Sequence, residues 1–305
     1  MQTLFLVSHP STCMHRNEMF MPNSSSNYSR KPAAVANPVG TFDCAKLLRF
    51  AFKHSLLISI RAGGHNMTGS SLCDGGLVIN MRHMNQTIVD PVAQTATTQG
   101  GTIWREFYEE CYACRLGTTG GVVSDTGVAG LTVGGGIGYL RTKHGMTIDN
   151  VLSMQVVTAN GDIMICDKDN NEDLFYALRG GGYALVTSFT IKLYPIPDEH
   201  WTVMLIWDWE MMPNVITALQ AFMDSGEGEE MALMGVAWPN CGIPHPELQG
   251  KSKVLIDGGY AGADGKDAQD VHERIKKFIT DHVGAEPMDL SHFAPFNEWN
   301  QGFDF

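Results

Sequence analysis

The nine residues Arg61-Ala62-Gly63-Gly64-His65-Asn66-Met67-Thr68-Gly69 carry the most specific signal in this chain. They follow directly on the apolar segment 56–61 (LLISIR), which is typical of a buried strand. A glycine-rich turn at the end of a strand can present consecutive backbone N–H groups to a pyrophosphate. The turn lacks the GxGxxG spacing of a Rossmann fold, and no P-loop lysine follows it. Neither of those two phosphate-binding arrangements is therefore predicted.

A second glycine-rich segment lies further along the chain. Nine of the 22 residues from Gly117 to Gly138 are glycine. Because glycine costs about 1 kcal/mol relative to alanine in a regular element, a packed core does not call for so many. Such a run is typical of places where the backbone approaches a phosphate or a flat ring closely, or adopts positive φ.

The remaining pattern predicts an ordered chain with a boundary near Pro195 and Pro197. Residues 1–29 are rich in proline and polar residues, and we expect them to be irregular. Residues 30–196 alternate predicted helices (41–54, 102–114, 171–178) with predicted strands (56–61, 77–80, 86–91, 95–100, 150–158, 162–167, 183–194). Residues 197–305 predict a second domain with the order strand 201–209, helix 214–223, strand 231–238, strand 253–260, helix 268–283. No closing strand is predicted in residues 286–305.

Composition narrows the classes of function. The 305 residues include 44% hydrophobic side chains and carry a formal net charge of −12, which disfavours general nucleic-acid or anionic-membrane binding. No apolar run approaches the roughly 18 residues of a membrane span. Cys111 and Cys114 form a CxxC without a second pair, so we predict no metal site. No clear signal peptide is predicted, which favours the cytoplasm, and the sequence does not indicate an oligomeric state.

Four motifs in order carry a family resemblance. They are the strand with its RxGGHNxxG turn, the segment 120–139 (GGVVSDTGVAGLTVGGGIGY), Asp149-Asn150, and the segment 173–182 (DLFYALRGGG). Together they resemble the berberine-bridge-enzyme-like and 6-hydroxynicotine-oxidase-like flavoproteins over roughly residues 30–196. The resemblance implies an α+β fold. A two-part FAD-binding domain of the vanillyl-alcohol-oxidase type would precede an incomplete α/β substrate domain with an antiparallel sheet.

In that family the histidine of the turn is bonded covalently to the 8α-methyl carbon of the flavin, and the matching residue is His65. A neutral imidazole nitrogen can add to the electrophilic 8-position of an oxidised flavin. The alternative is a solvated side chain in a turn. Some relatives carry a second link through a cysteine, which Val123 replaces here, so the resemblance implies a single histidyl link at most.

The resemblance also implies that backbone groups of both glycine-rich segments hold the FAD. The residues expected in the cofactor site, besides His65, are Arg61, Ala62, Gly63, Gly64, Asn66, Gly69, Thr126, Gly127, Gly130, Gly134, Gly135, Gly136 and Gly138, with main-chain groups of Val156 or Val157 at the adenine end.

Three departures separate this chain from the family pattern. Met67 stands where some relatives have a catalytic tyrosine. The run Gly180–Gly182 continues directly into Tyr183, about two residues shorter than the family motif. The family also continues for well over a hundred further residues, so the chain resembles a truncated relative. Tyr139 and His144 remain as candidates for proton transfer, with packing and surface roles as their alternatives.

The resemblance implies an oxidase that moves a hydride from a C–H bond next to oxygen or nitrogen to the flavin and then to O₂. Its substrate would be a small alcohol, sugar or alkaloid-like amine of secondary metabolism. The alternative is an inactive or truncated relative that keeps the fold without turnover. A nicotinamide-dependent dehydrogenase is disfavoured, because no GxGxxG with a trailing acid follows a strand.

Overall fold

The computed structural model describes residues 30–182, 184–226, 231–243, 245–260 and 267–301. The predicted irregular segment 1–29 and the first residue of the predicted strand 183–194 lie outside those ranges. No helix in the described ranges is both long and apolar enough to cross a membrane.

A small parallel sheet places the first glycine-rich turn at its carboxyl edge. Strands β1 (Ala34–Ala36), β2 (Ile58–Arg61) and β3 (Leu77–Asn80) lie in the order β1-β3-β2, and both pairings are parallel. Helix α1 (Thr41–Lys53) connects β1 to β2 and buries its apolar face in the same core. Because β2 ends at Arg61, the turn leaves the sheet at the carboxyl end of a strand, which is where open α/β sheets bind ligands.

An antiparallel sheet of five strands forms the larger part of the first region. The strands after β3 are β4 (Thr87–Asp90), β5 (Thr95–Gln99), β6 (Leu116–Gly117), β7 (Val151–Val157), β8 (Ile163–Asp167), β9 (Leu185–Lys192) and β10 (Tyr194–Pro195). The sheet order is β4-β5-β9-β7-β8, and β6 pairs with β10 in a separate two-stranded sheet.

Four helices follow α1 in this region: α2 (Trp104–Ala113), α3 (Val128–Val133), α4 (Arg141–His144) and α5 (Glu172–Leu178). The apolar face of α2 supplies Trp104 and Phe107, both fully buried, to a core shared with Met154 and Phe189 of the five-stranded sheet. Burying a large aromatic side chain contributes about 1.5–3 kcal/mol, so this contact fixes α2 against the sheet.

A second antiparallel sheet occupies the remainder of the chain. Its strands are β11 (Glu199–Asp208), β12 (Met231–Trp238), β13 (Lys253–Tyr260), β14 (Met288–Asp289) and β15 (His292–Pro295), in the order β12-β13-β11-β14 with β15 also paired to β11. Helices α6 (Met212–Ser225) and α7 (Ala268–Val283) pack on one face of it, and α8 (Phe296–Trp299) follows β15. The predicted bounds of β12, β13 and α7 match the structure to the residue. The expectation of no closing strand after residue 286 is wrong, since β14 and β15 both pair with β11.

Aromatic residues of α8 join the second sheet to the first region. Phe296 meets Tyr108 of α2 edge to face, with ring centroids 4.9 Å apart, and Trp299 stacks on Tyr139 at 4.8 Å. The predicted α+β class, with an FAD-type first part and an antiparallel second part, is confirmed in its secondary structure. The boundary between residues 196 and 197 stays a prediction.

Candidate functional site

A cavity of about 580 Å³ lies at the carboxyl end of β2. Its volume falls within the ~300–1,000 Å³ of small-molecule and cofactor sites. Both glycine-rich segments line it. The other lining residues come from α3, from residues 182 and 184–186 at the start of β9, and from Ile60 of β2, Ser70 and Ser71 after the turn, Met81 after β3 and Gly100 after β5.

The first segment (residues 62–69) is a turn organised by Asn66. The side-chain Oδ1 of Asn66 accepts hydrogen bonds from the backbone N–H of Thr68 (2.9 Å) and of Ser70 (3.3 Å). The backbone N–H of Gly69 donates to the carbonyl of Asn66 at 3.0 Å. This Asx-type turn fixes the backbone without using the N–H groups that precede it.

A row of four backbone N–H groups on this turn has no hydrogen-bond partner among the described residues. In the part of the chain that the structure describes, no hydrogen bond engages the N–H of Gly63, Gly64, His65 or Asn66. All four residues line the cavity. Unpaired backbone donors beside a cavity call for an acceptor, and a row of them suits the oxygens of a phosphate group. The donor set therefore fits a pyrophosphate-containing cofactor.

The part of the second glycine-rich segment beside the cavity (residues 123–130) is held by the beginning of α2. The backbone N–H of Trp104 donates to the carbonyl of Thr126 at 3.0 Å, and that of Arg105 donates to the carbonyl of Ser124 at 2.8 Å. The guanidinium of Arg105 also donates to Oγ of Ser124, at 2.8 and 3.0 Å. Asp125 therefore lies between two residues whose carbonyl groups are both anchored.

The two segments meet through their side chains as well as their backbones. Nε2 of His65 lies 2.9 Å from Oδ1 of Asp125. The side chains of His65 and Asp125 retain 23% and 41% of their exposure, so both are partly open to solvent, and His65 also lines the cavity. A carboxylate only accepts hydrogen bonds, and the proton in this contact is therefore on Nε2.

The structure brings eight predicted cofactor residues to the cavity wall. They are Ala62, Gly63, Gly64, His65, Asn66, Thr126, Gly127 and Gly130. Arg61 ends β2, and its buried guanidinium packs against Gly64, where an added Cβ would lie 3.0 Å from Nε. Burial and the neighbouring Arg82 lower the pKa of Arg61. Gly69 closes the turn through its bond to Asn66.

Eight predicted residues lie outside the cavity lining, namely Arg61, Gly69 and six further along the chain. Gly134, Gly135, Gly136 and Gly138 pack against the protein itself. A Cβ at Gly136 would lie 2.7 Å from Leu131, and one at Gly138 would overlap the carbonyl oxygen of Gly120. Val156 and Val157 are fully buried within β7, where they pair with β8 and β9. At Gly135, Gly136 and Gly138 glycine thus has a packing cause in this structure, whereas a Cβ at Gly134 would make only ordinary van der Waals contacts.

The two proton-transfer candidates also lie outside the cavity lining. Tyr139 is buried, and its hydroxyl donates to Oδ2 of Asp257 at 2.6 Å. The ring of His144 stacks on Tyr194, with centroids 3.6 Å apart. Burial, helped by Lys143 and Lys192, lowers the pKa of His144 to about 4. The structure therefore favours the packing alternative for both side chains.

Sequence reasoning assigned no role to Asp125 or to several lining residues. The cavity also includes Met67, Ser70, Ser71, Met81, Gly100, Ala184 and Val186. The sequence does contain a signal for Asp125, because an acidic side chain is unexpected in a glycine-rich segment that would bind a negatively charged dinucleotide. Met67, Ser70 and Ser71 belong to the turn or follow it directly, whereas Met81, Gly100, Ala184 and Val186 reach the cavity only through the tertiary fold.

The class of protein follows from these observations together with a family match. Residues 32–167 match the family model described as an FAD binding domain. This matched range, which includes the turn after β2, residues 123–130 and four of the five strands of the antiparallel sheet, is thus similar to an FAD binding domain.

The particular relatives are flavin oxidoreductases. The chain is 34% identical over 180 residues to (R)-6-hydroxynicotine oxidase of Paenarthrobacter nicotinovorans, covering 58% of this chain and 39% of that protein. The crystal structure of 6-hydroxy-D-nicotine oxidase from Arthrobacter nicotinovorans superposes with a TM-score of 0.82 at 24% identity, over 98% of this chain and 63% of that one. A VAO-type flavoprotein from Myceliophthora thermophila C1 gives 0.71 at 26% identity, over 89% and 50%. The predicted family resemblance and fold are confirmed, and this chain spans less than two thirds of each relative.

Proposed function

We propose that this chain is an FAD-linked oxidoreductase that holds its FAD in the cavity between residues 62–69 and 123–130, with His65 bonded covalently to the flavin. The observation that carries the proposal is the row of four N–H donors on residues 63–66. It lies on the same turn as the imidazole that matches the family's linked histidine. The relative from Paenarthrobacter nicotinovorans is itself an oxidase, which supports the proposed class of reaction.

Each part of the site has its own task. The donors of Gly63 to Asn66 would hold the pyrophosphate, because hydrogen bonds to charged oxygens are the stronger kind. The backbones of Gly63 and Gly127 pack directly against each other. This contact would fix the distance between residues 62–69 and 123–130 on either side of the cofactor. Bound FAD would supply the redox chemistry, accepting a hydride from a C–H bond next to oxygen or nitrogen of a small organic substrate and passing electrons to O₂.

The cofactor proposal is tested by the mass and colour of the protein. We expect purified protein to be yellow, and denatured protein to be heavier than the polypeptide by one FAD less two hydrogen atoms. His65→Ala should lose that added mass, whereas His83→Ala, at an exposed position outside the cavity lining, should keep it. Colourless protein that takes up no added FAD would contradict the proposal.

A second candidate is a protein that binds FAD without turnover. It is favoured by the position of Tyr139 and His144, neither of which lines the cavity. The two candidates differ in hydrogen peroxide release when the flavin-loaded protein is mixed in air with a panel of alcohols, oligosaccharides and cyclic amines. Peroxide release that depends on one of these probes supports the oxidase. Bleaching of the flavin by dithionite with no response to any probe supports the inactive protein.

A further inference from the structure

We infer that Asp125 is the positioning residue for covalent attachment of the flavin at His65. The inference rests on the proposed function, since it assigns a device to the same cavity. Nothing in the family resemblance gives this side chain a role. It follows from one contact, the 2.9 Å approach of Nε2 of His65 to Oδ1 of Asp125, and from how the two loops are held.

The contact selects the tautomer of His65. Because a carboxylate oxygen accepts this contact, the neutral ring carries its proton on Nε2 and keeps the lone pair on Nδ1. No hydrogen bond among the described residues engages Nδ1. The nitrogen that can act as a nucleophile is therefore the one that Asp125 leaves open, on a ring that borders the cavity.

Asp125 is also held in place more firmly than an ordinary loop carboxylate. The residues on both sides of it, Ser124 and Thr126, have their carbonyl groups bonded to the backbone of α2, and Ser124 is fully buried. The side chain of Asp125 can therefore change rotamer, but its Cα cannot drift away from the turn that bears His65. A carboxylate fixed beside an imidazole orients the ring and stabilises positive charge that develops on it.

In the covalent step a bond would form between Nδ1 of His65 and the 8-methyl carbon of the flavin, while one C–H bond of that methyl group breaks and its proton leaves to solvent. The flavin ring system takes up the two electrons. The proton on Nε2 passes towards Asp125 and solvent, since an imidazole substituted at Nδ1 is neutral without it. Dioxygen then accepts the two electrons and two protons as hydrogen peroxide, which restores the oxidised flavin.

The rate of attachment tests this role separately from binding. Apoprotein from a riboflavin-limited host is mixed with FAD in air, and the fraction of flavin that survives denaturation is followed with time. Non-covalent binding is measured in parallel by native gel filtration. We expect Asp125→Asn to bind FAD but to attach it at least about tenfold more slowly, because general acid–base assistance typically contributes about a hundredfold or more and the amide oxygen of asparagine can still accept from Nε2. Asp125→Glu should recover part of the rate.

A matched control removes a carboxylate elsewhere. Asp162 is exposed in the turn between β7 and β8, outside the cavity lining, and Asp162→Asn should attach FAD at the wild-type rate. An unchanged rate in Asp125→Asn would overturn the inference while leaving the FAD proposal intact. Wild-type protein that binds FAD but never links it would overturn both the histidyl link and this inference. Wild-type protein that binds no FAD would remove the proposed function itself.

A measurement without FAD keeps the inference testable if Asp125→Asn binds the cofactor poorly. Nitrogen-15 spectra of ring-labelled apoprotein at pH 8, where ordinary imidazoles are neutral, report which ring nitrogen carries the proton. The signal of His65 is assigned by its loss in His65→Ala. We expect Nε2 protonated in the wild type and a mixture of tautomers in Asp125→Ala. A wild-type ring protonated mainly on Nδ1 would refute the positioning role.

Discussion

Gly63 and Gly127 pack backbone against backbone, so that neither position has room for a side chain. A Cβ at Gly63 would lie 2.7 Å from the Cα of Gly127, and a Cβ at Gly127 would lie 3.0 Å from the Cα of Gly63. Real Cβ atoms essentially never come closer than 3.0 Å to other heavy atoms. The two glycine-rich segments are thus joined at a contact that belongs to both, and the walls of the cavity depend on it.

Gly63→Ala should therefore push the two segments apart. Inserting a methyl group into close-packed structure costs about 1–3 kcal/mol, and we expect that loss in the free energy of unfolding from urea titration. Gly127→Ala should cost a similar amount. The double variant should lose less than the sum, because the first substitution already opens the contact that the second would strain.

The control for these variants is Gly40→Ala. Gly40 has no heavy atom within 4 Å of an added Cβ and has an extended backbone, so Gly40→Ala creates no steric clash. Because Gly40 is the N-cap of α1, where glycine is preferred to alanine, the variant should lose about 0.5 kcal/mol at most. FAD retention after gel filtration should fall in Gly63→Ala and stay unchanged in Gly40→Ala. Additive costs in the double variant would show that the two methyl groups meet different neighbours.

The sequence predicts the site well where function requires a local pattern. The turn after β2 with its histidine occupies residues 62–69, and the lining glycines Gly127 and Gly130 lie within residues 123–130. Each of these two short stretches lines the cavity. A strand followed by a glycine-rich turn is a local signal, and it needs no knowledge of the rest of the fold.

Other parts of the site depend on tertiary contacts that the sequence does not reveal. A glycine signals that something approaches the backbone, but not whether that is a ligand or, as at Gly138, another stretch of protein. Tyr139 follows that glycine and looks available for catalysis, yet its partner Asp257 lies 118 residues away. Strands β14 and β15 span two and four residues, too short for alternation to be recognised, and they exist because β11 offers them an edge.

Asp257 should make the stability of the protein fall as the pH rises. Burial raises its pKa from the ordinary value to about 7, although the hydrogen bond from Tyr139 acts in the opposite direction. In the unfolded chain the carboxyl ionises near pH 4, whereas in the folded chain it keeps its proton until about pH 7. The stabilising contribution of this group is therefore complete below pH 4 and is lost progressively as the pH rises to 7.

Asp257→Asn should remove that dependence. The amide oxygen can still accept the hydrogen bond from Tyr139 and does not ionise. Urea titrations between pH 4 and 8 should show the variant gaining on the wild type as the pH rises, by about 2–4 kcal/mol at pH 7.5. Asp162→Asn should give a curve parallel to that of the wild type. Parallel curves for Asp257→Asn would mean that the carboxyl is ionised in the folded protein throughout this range.

His200 should make the stability of the protein fall as the pH falls, which is opposite to the effect of Asp257. Its ring is buried, and Nδ1 has no hydrogen-bond partner in the described part of the chain. Burial, with a smaller effect of Lys143, lowers its pKa to about 4. The unfolded chain takes up the proton below about pH 6.5, so the stability that neutral His200 provides is present above that pH and lost as the pH falls towards 4.

His200→Phe should keep the stacking on Trp299 and remove the loss of stability that His200 causes as the pH falls. We expect the variant to gain about 2–3 kcal/mol relative to the wild type between pH 7 and pH 4.5 in the same titrations. Substituting the exposed His83 by phenylalanine should leave the slope unchanged. Since His200 and Asp257 titrate with opposite signs, the wild-type curve alone hides both effects. A variant slope equal to that of the wild type would show that His200 already carries its proton when folded.

Trp299 should stabilise the contact between the second antiparallel sheet and the first region of the chain. Its buried ring stacks on Tyr139 at 4.8 Å and on His200 at 4.7 Å. It also covers Gly259, where an added Cβ would lie 2.7 Å from Cη2 of the indole. Removing a buried tryptophan side chain costs about 3–5 kcal/mol, so Trp299→Ala should lower the free energy of unfolding by that amount.

The exposed ring of Phe42 provides the control, and Phe42→Ala should change the stability by less than about 0.5 kcal/mol. Trp299→Ala should have a second effect, because the space it leaves admits water beside His200 and towards Asp257. Desolvation is the main cause of both pKa shifts, so hydration should return both groups towards their ordinary values and flatten both pH responses. A destabilised variant that keeps both responses at full size would show that burial by the second sheet, and not by the indole, perturbs the two groups.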